Sequence, residues 1–243
     1  MNSAVNIINN NTFTGGDVNG VDVGTTAFIA IANTSISLQG TGNIFNAGTT
    51  AGLGAETISL FVAANSSLIQ LPPGGTGNQI NGGIEILLGS RLFLSSIAIN
   101  DDLFIFDSSS VLLEPDFPGG IVFNSGEVDL VSSSLLSMGS DDGIPVTVNS
   151  GGVTGIMSLS DSSSMFLFGS SVVNMNVQLN RGSSIGSDQN SKIGGNLEIG
   201  GFSTYAATEQ IGPSVSGTVT CFKGEAFDFF VGGAPPTDLC LLP

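Results

Sequence analysis

Short alternations of apolar and polar residues recur from end to end of this chain. Ile36 and Leu38 share one face of the run Ser35 to Leu38, and Ile58, Leu60 and Val62 share one face between Thr57 and Val62. Val177 and Leu179 do so between Asn176 and Leu179, and Leu197 and Ile199 between Asn196 and Ile199. Thr218 to Cys221 repeats the alternation near the end. A period of two over short runs, bounded by Gly, Ser and Asn, predicts half-buried β-strands. Helical periodicity is nearly absent, because Gly, Ser or Asn interrupts every stretch of good helix formers.

A small-polar pair recurs just before an apolar strand. It stands as Thr34-Ser35, Ser66-Ser67, Gly89-Ser90, Ser109-Ser110, Ser133-Ser134, Ser163-Ser164 and Ser183-Ser184. Counted at the second residue, the steps are 32, 23, 20, 24, 30 and 20. Between these anchors lie glycine pairs that also precede strands: Gly82-Gly83, Gly119-Gly120, Gly151-Gly152 and Gly194-Gly195. A repeating coil of two or three short strands accounts for both signals, since a stack of coils buries an apolar face that one coil cannot. Such a stack predicts inward columns of Ile, Leu, Val and Phe, with corner ladders of Asn and Ser. About ten coils at about 4.8 Å each give a rod on the order of 45 Å long. The expected fold is therefore all-β, a single-domain parallel β-solenoid with right-handed winding. An antiparallel sandwich or jelly roll is the alternative, but strong hairpin dipeptides occur only at Asn19-Gly20 and Asn81-Gly82.

Between about Asn33 and Ile199 the anchors, such as Ser163-Ser164-Met165-Phe166-Leu167, resemble the right-handed β-helix proteins. These are the pectin-lyase-like superfamily and the passenger regions of surface adhesins. The resemblance is one of architecture. It implies either a rod-like adhesive segment or a carbohydrate-active enzyme. Residues 1–202 are expected to form the coils. Residues 203–243, with Pro213, Pro235, Pro236, the only Tyr and both Cys, are expected to form the last coil and a C-terminal cap in the same domain.

Charge narrows the classes of partner. The chain carries 20 acidic and 4 basic residues and no His, for a formal net charge of −16. It has no basic groove for nucleic acid and no attraction to anionic membranes. Its apolar runs are too short to span a bilayer. Met1 to Asn11 lacks the basic segment of a signal peptide, so the sequence reads as part of a longer secreted protein or of a virion. Cys221 and Cys240 bracket a short terminal loop, which a disulfide would close in an oxidising compartment. Localisation is expected to be extracellular, on a cell surface or a virion surface.

The absence of His excludes Ser-His-Asp and Cys-His nucleophiles, and two cysteines cannot complete an all-cysteine zinc site. Gly15 to Gly20 has the look of a calcium-binding Gly-Asp loop, but it does not repeat and reads as a turn. The resemblance implies, for glycosidases, clustered Asp on outward strand positions, and for lyases an Arg or Lys base, often with calcium. Two acidic doublets then become candidates: Asp101-Asp102 and Asp141-Asp142. Adjacent residues on a strand point to opposite faces, so each doublet should sit in a turn. Arg91, on a strand, is the candidate base. Two strands are apolar on both faces, Leu103 to Phe106 and Met165 to Phe168. An outward apolar row asks for a cover, which a homotrimer or a neighbouring domain of a longer chain would supply. The leading expectation is a non-catalytic structural or adhesive segment. A phage tail-spike segment that binds or cleaves host glycan, or a free carbohydrate-active enzyme, is the alternative.

Overall fold

A computed structural model describes residues 3–19, 24–51, 56–71, 76–116, 121–150, 155–208, 214–222 and 226–231. No helix occurs among them. The strands form three long sheets of ten, eight and nine strands, and every pairing is parallel. Coil 1 starts at Ser3–Ile8, and coils 2 to 5 start at Thr34–Gln39, Ser67–Gln70, Arg91–Leu94 and Ser110–Leu113. Coils 6 to 10 start at Leu135–Met138, Ser164–Leu167, Ser184–Ser187, Ser203–Thr208 and Ala226–Val231. These starting strands make the first sheet; coils 1 to 8 then each pass through a second and a third sheet, and coil 9 through the third. Coil 5, for example, continues through Ile121–Ser125 and Glu127–Leu130. Three strands in each of coils 1 to 8 and ten coil starts make the chain a parallel β-solenoid. The described segments beyond residue 202 continue this stack.

The core is the set of inward columns that the alternation predicts. In the second sheet Phe45, Ile80, Ile99, Phe123, Val148 and Val173 stand in register, each buried. Phe13 continues this column into coil 1, where its ring stacks on Phe45 at 5.1 Å with Phe28 edge-on to both.

The corners carry the polar ladders. Between the second and third sheets Asn46, Asn81, Asn100, Asn124, Asn149 and Asn174 lie on successive coils. Each side-chain amide from Asn81 onward donates to the carbonyl oxygen of the asparagine before it, at 2.9, 2.9, 3.0, 3.4 and 3.1 Å. Between the third and first sheets a four-residue turn repeats, with two consecutive left-handed residues. Ala32 and Asn33 have φ of 59° and 63°, and Asp161 and Ser162 have 54° and 64°. Left-handed backbone costs a non-glycine residue roughly 1 kcal/mol. Backbone bonds between stacked turns offset it: Asn33 donates to Ala64 O at 3.0 Å, and Ser133 to Asp161 O at 2.9 Å.

The residue after each turn is a buried Ser, at positions 66, 90, 109, 134, 163, 183 and 203. Its hydroxyl oxygen accepts the backbone N–H of the preceding coil's equivalent: Thr34 to Ser66 at 3.0 Å, Ser66 to Ser90 at 3.1 Å, Ser134 to Ser163 at 3.2 Å. The hydroxyl proton goes back to the turn, as from Ser134 to Val131 O at 2.7 Å. This ladder corrects the anchor register. The buried residue is the first of the pair at Ser66-Ser67 but the second at Gly89-Ser90 and Ser133-Ser134. Gly119-Gly120, Gly151-Gly152, Pro213, Lys223, Pro235, Pro236 and Cys240 lie outside the described residues.

Candidate functional site

Acidic residues are unevenly placed on the three faces. The first nine strands of the first sheet and all eight of the second contain no Asp or Glu. The third sheet carries Glu85, Glu127, Asp129 and Glu198 on its outer face. One outward row there runs Glu85, Phe104, Asp129, Ser158, Gln178, Glu198 on consecutive coils. Strand spacing sets these side chains about 4.8 Å apart. Gln178 donates to Glu198 Oε2 at 3.2 Å. Beside that row a shallow groove of about 210 Å³ is lined by Ile156, Asn176, Gln178, Asn196, Glu198 and Thr218, among others. This face sets carboxylates, amides and hydroxyls side by side and is the candidate functional surface.

The sequence candidates fall elsewhere and apart. Asp101-Asp102 occupy the corner between the second and third sheets in coil 4; Asp141-Asp142 are exposed in the corner after the first-sheet strand of coil 6. Arg91 is on the outer face of the first sheet. Both doublets sit in turns, as the strand geometry required. They do not share a corner, and Arg91 shares a face with neither.

Asp102 has an assigned task. Its Oδ1 accepts the backbone N–H of Gly126 at 3.0 Å and of Glu127 at 2.7 Å, in the next coil. Asn176 and Asn196 do the same job farther along: Asn196 N–H donates to Asn176 Oδ1 at 3.0 Å, and Thr218 N–H to Asn196 Oδ1 at 2.9 Å. Each of the three precedes the first inward residue of its third-sheet strand, namely Leu103, Val177 and Leu197. Asp102 is thus a ladder residue in which carboxylate replaces amide. Asp102→Asn should keep the acceptor and change the urea unfolding free energy by less than about 0.5 kcal/mol, whereas Asp102→Ala should cost about 1.5 kcal/mol by removing the acceptor of the Gly126 N–H and leaving the Glu127 N–H only Ser125 Oγ, at 3.1 Å. Equal losses in the two variants would show that charge, not acceptance, matters. Asp17 behaves alike, accepting from the Thr49 hydroxyl at 2.5 Å and the Thr49 N–H at 3.3 Å. The Thr49 hydroxyl, then its N–H, holds the exposed Asp17 carboxyl below its ordinary value. Asp17 therefore braces the next coil, and Gly20, the last residue of the loop-like segment, lies outside the described residues.

Asp129 was not legible as a candidate. Half-buried beside Phe104, its carboxyl is pushed up to about 6, first by burial, then by Glu127 two residues back on the same face, then by Asp102. The alternation Glu127-Val128-Asp129 was the available signal, because period two aims both carboxylates outward. Burial also raises Asp101, with Asp102 repelling and its N–H opposing. A carboxyl whose folded pKa exceeds its unfolded value destabilises the fold when ionised. That penalty is full above pH 6 and is relieved as pH falls toward the ordinary carboxylate value. Stability should therefore rise between pH 7.5 and pH 5, read as a higher urea midpoint. Asp129→Asn should remove most of the difference; a midpoint that falls over this range would contradict the placement of Asp129.

Among the described residues no group of three or more Asp, Glu, Cys or His is placed to hold a metal ion. Cys221 ends a third-sheet strand that pairs with Leu197–Ile199; Cys240, its expected disulfide partner, lies outside the described residues. No family model, no curated protein and no solved structure matches this chain.

Proposed function

We propose that this chain is a structural, adhesive β-solenoid segment of a secreted or surface-displayed protein, with the pectin-lyase-like and adhesin-passenger rods as its architectural kin. What carries this reading is where the repeated polar residues are used. The asparagine ladder, the buried serines and Asp102 all hold one coil to the next, and the candidate catalytic side chains are dispersed over two corners and a different sheet. A stiff spacer with an uncharged-polar surface follows from that use, and an extracellular, cell-surface or virion-surface setting suits it.

One observation favours a second reading, a spike segment that binds or cleaves host glycan. The third-sheet groove lines up amides, a carboxylate and hydroxyls at strand spacing, beside the Glu127–Asp129 pair. Asp129, pushed up to about 6 by burial, suits the acid of an acid–base hydrolysis, and Glu127 supplies a second carboxyl on the same face. The test is incubation with a panel of polysaccharides, scored by reducing ends and by absorbance of unsaturated products. The structural reading expects no product from any glycan. Product that disappears in both Asp129→Asn and Glu127→Gln would replace it with the enzyme.

A further inference from the structure

We propose that the outer face of the first sheet is a self-association surface, on which a second copy of this chain docks with its stack antiparallel. On a chain of net charge −16, most surfaces repel their own copies. The first and second sheets are free of that repulsion, and of the two the first carries the exposed apolar row. From coil 1 to coil 9 its strands hold no acidic residue and one cation, Arg91.

The face also carries an apolar ridge. One outward row, in continuous register, reads Ile69, Phe93, Leu112, Ser137, Phe166, Gly186 over coils 3 to 8. Ile69 is 40% exposed and Phe166 49%. In the neighbouring row Leu135 is 36% exposed. Apolar side chains therefore stand where a lone solenoid would place polar ones.

This row can face itself in reverse. A two-fold axis parallel to the strands, passing between coils 5 and 6, keeps each row opposite itself and inverts the coil order. At the centre Leu112 then faces Ser137, and Phe93 faces Phe166, so that the phenylalanines meet as an aromatic pair. The Phe166 ring already lies over Gly186 of its own chain, where a Cβ would stand 3.0 Å from it, so Ile69 meets that ring and not a hollow. The same axis brings Arg91 opposite coil 7 of the other copy, whose preceding corner carries Asp161, already paired with Arg181 at 3.3 Å, so Arg91 joins an existing ion pair. At the other margin Glu114 and Asp116 face Asp141 and Asp142, so added salt strengthens the dimer. The strand area is about 13 Å by about 35 Å, which is small for an interface and sets a weak, concentration-dependent equilibrium.

Sedimentation velocity of the intact chain in 0.5 M salt should show monomer near ~1 µM and dimer near ~100 µM, the range of a small interface. Phe166→Asp and Leu112→Asp should each weaken dimerisation at least about tenfold with unchanged melting temperature, as buried interface anchors do. Ile156→Asp, on the third sheet, should leave it unaltered. Mixing Leu112→Cys with Ser137→Cys chains should give a mixed covalent dimer faster than either chain alone, with the unsubstituted chain as blank. Monomer at every concentration, a trimer, equal weakening by Ile156→Asp, or Ser137→Cys chains that couple to themselves instead of to the mixed partner would each overturn the proposal.

Discussion

Gly139→Ala should lower the unfolding free energy by about 3 to 5 kcal/mol, while Gly143→Ala, four residues away, should cost only about 1 kcal/mol. Both glycines lie in the corner after the first-sheet strand of coil 6, and both have positive φ, 119° and 78°. They differ in what a methyl group would meet. At Gly143 nothing lies within 4 Å, so the cost is that of left-handed backbone alone. At Gly139 a Cβ would stand 1.8 Å from the carbonyl oxygen of Phe168 in the next coil. That oxygen cannot step aside cheaply, because it accepts the Ser171 hydroxyl at 2.7 Å and the Ser171 N–H at 3.3 Å. Ser171 in turn bonds Ser191, one coil on, at 2.9 Å, so the strain would spread over three coils. Thermal melts of the two variants check this. At this chain length the Gly139 variant should melt on the order of 10 °C lower and the Gly143 variant only a few degrees lower. Similar shifts for both would mean that coils 6 and 7 are not stacked this closely.

The solenoid was legible because its signal is local. Runs such as Asn176 to Leu179 and Asn196 to Ile199 coincide with observed strands or overlap them within a residue, and period two needs only the nearest neighbours to be recognised. The exact ladder register was not legible. The residue before each buried serine occupies a left-handed turn position, and Ser133 and Gly89 suit that position as well as a serine suits the ladder. Both roles select small polar residues, so a Ser-Ser or Gly-Ser pair does not say which member is inside. The asparagine ladder was foreseen only as a type of corner. Its members are separated by 35, 19, 24, 25 and 25 residues, because the connections after the first-sheet strands and after the second-sheet strands both vary in length. Strands of two or three residues, such as Lys192–Ile193 in the second sheet, carry too little pattern to be counted, which is why two and three strands per coil could not be told apart.

The candidate site shows the same division. That Asp101-Asp102 and Asp141-Asp142 lie in turns followed from adjacent residues pointing oppositely on a strand. That Asp102 braces Gly126 and Glu127 did not, since those donors are 24 and 25 residues away and belong to another coil. Asp129 owes its raised pKa to burial, to Glu127 and to that same Asp102. Only Glu127 is close in sequence. In a stacked fold the decisive neighbours of a side chain are one coil distant, and their sequence separation changes with every loop.

Phe123→Ala should be the second severe lesion, costing about 3 to 5 kcal/mol, and it should also change how the molecule unfolds. Phe123 is fully buried in coil 5, between Ile99 of coil 4 and Val148 of coil 6 in the second-sheet column. Removing its ring leaves a void that β-branched and small neighbours on a rigid stack cannot collapse to fill. In a stack each coil contacts only its neighbours, so stability is close to a sum of coil and interface contributions. Weakening both interfaces of coil 5 therefore uncouples coils 1 to 4 from coils 6 to 10. Hydrogen exchange should lose most protection at Ala98–Asn100, Ile121–Ser125 and Val146–Ser150, and urea unfolding should broaden into two steps. Phe45→Ala supplies the comparison. Phe45 is equally buried and pays a similar local cost, but it lies in coil 2 within the Phe13–Phe28 ring cluster near one end of the stack. Its loss should fray that end and leave a single main transition for the coils beyond it. If both variants unfold in one sharp step with uniform loss of protection, the interior acts as one cooperative core, and nearest-neighbour coupling along the stack is wrong.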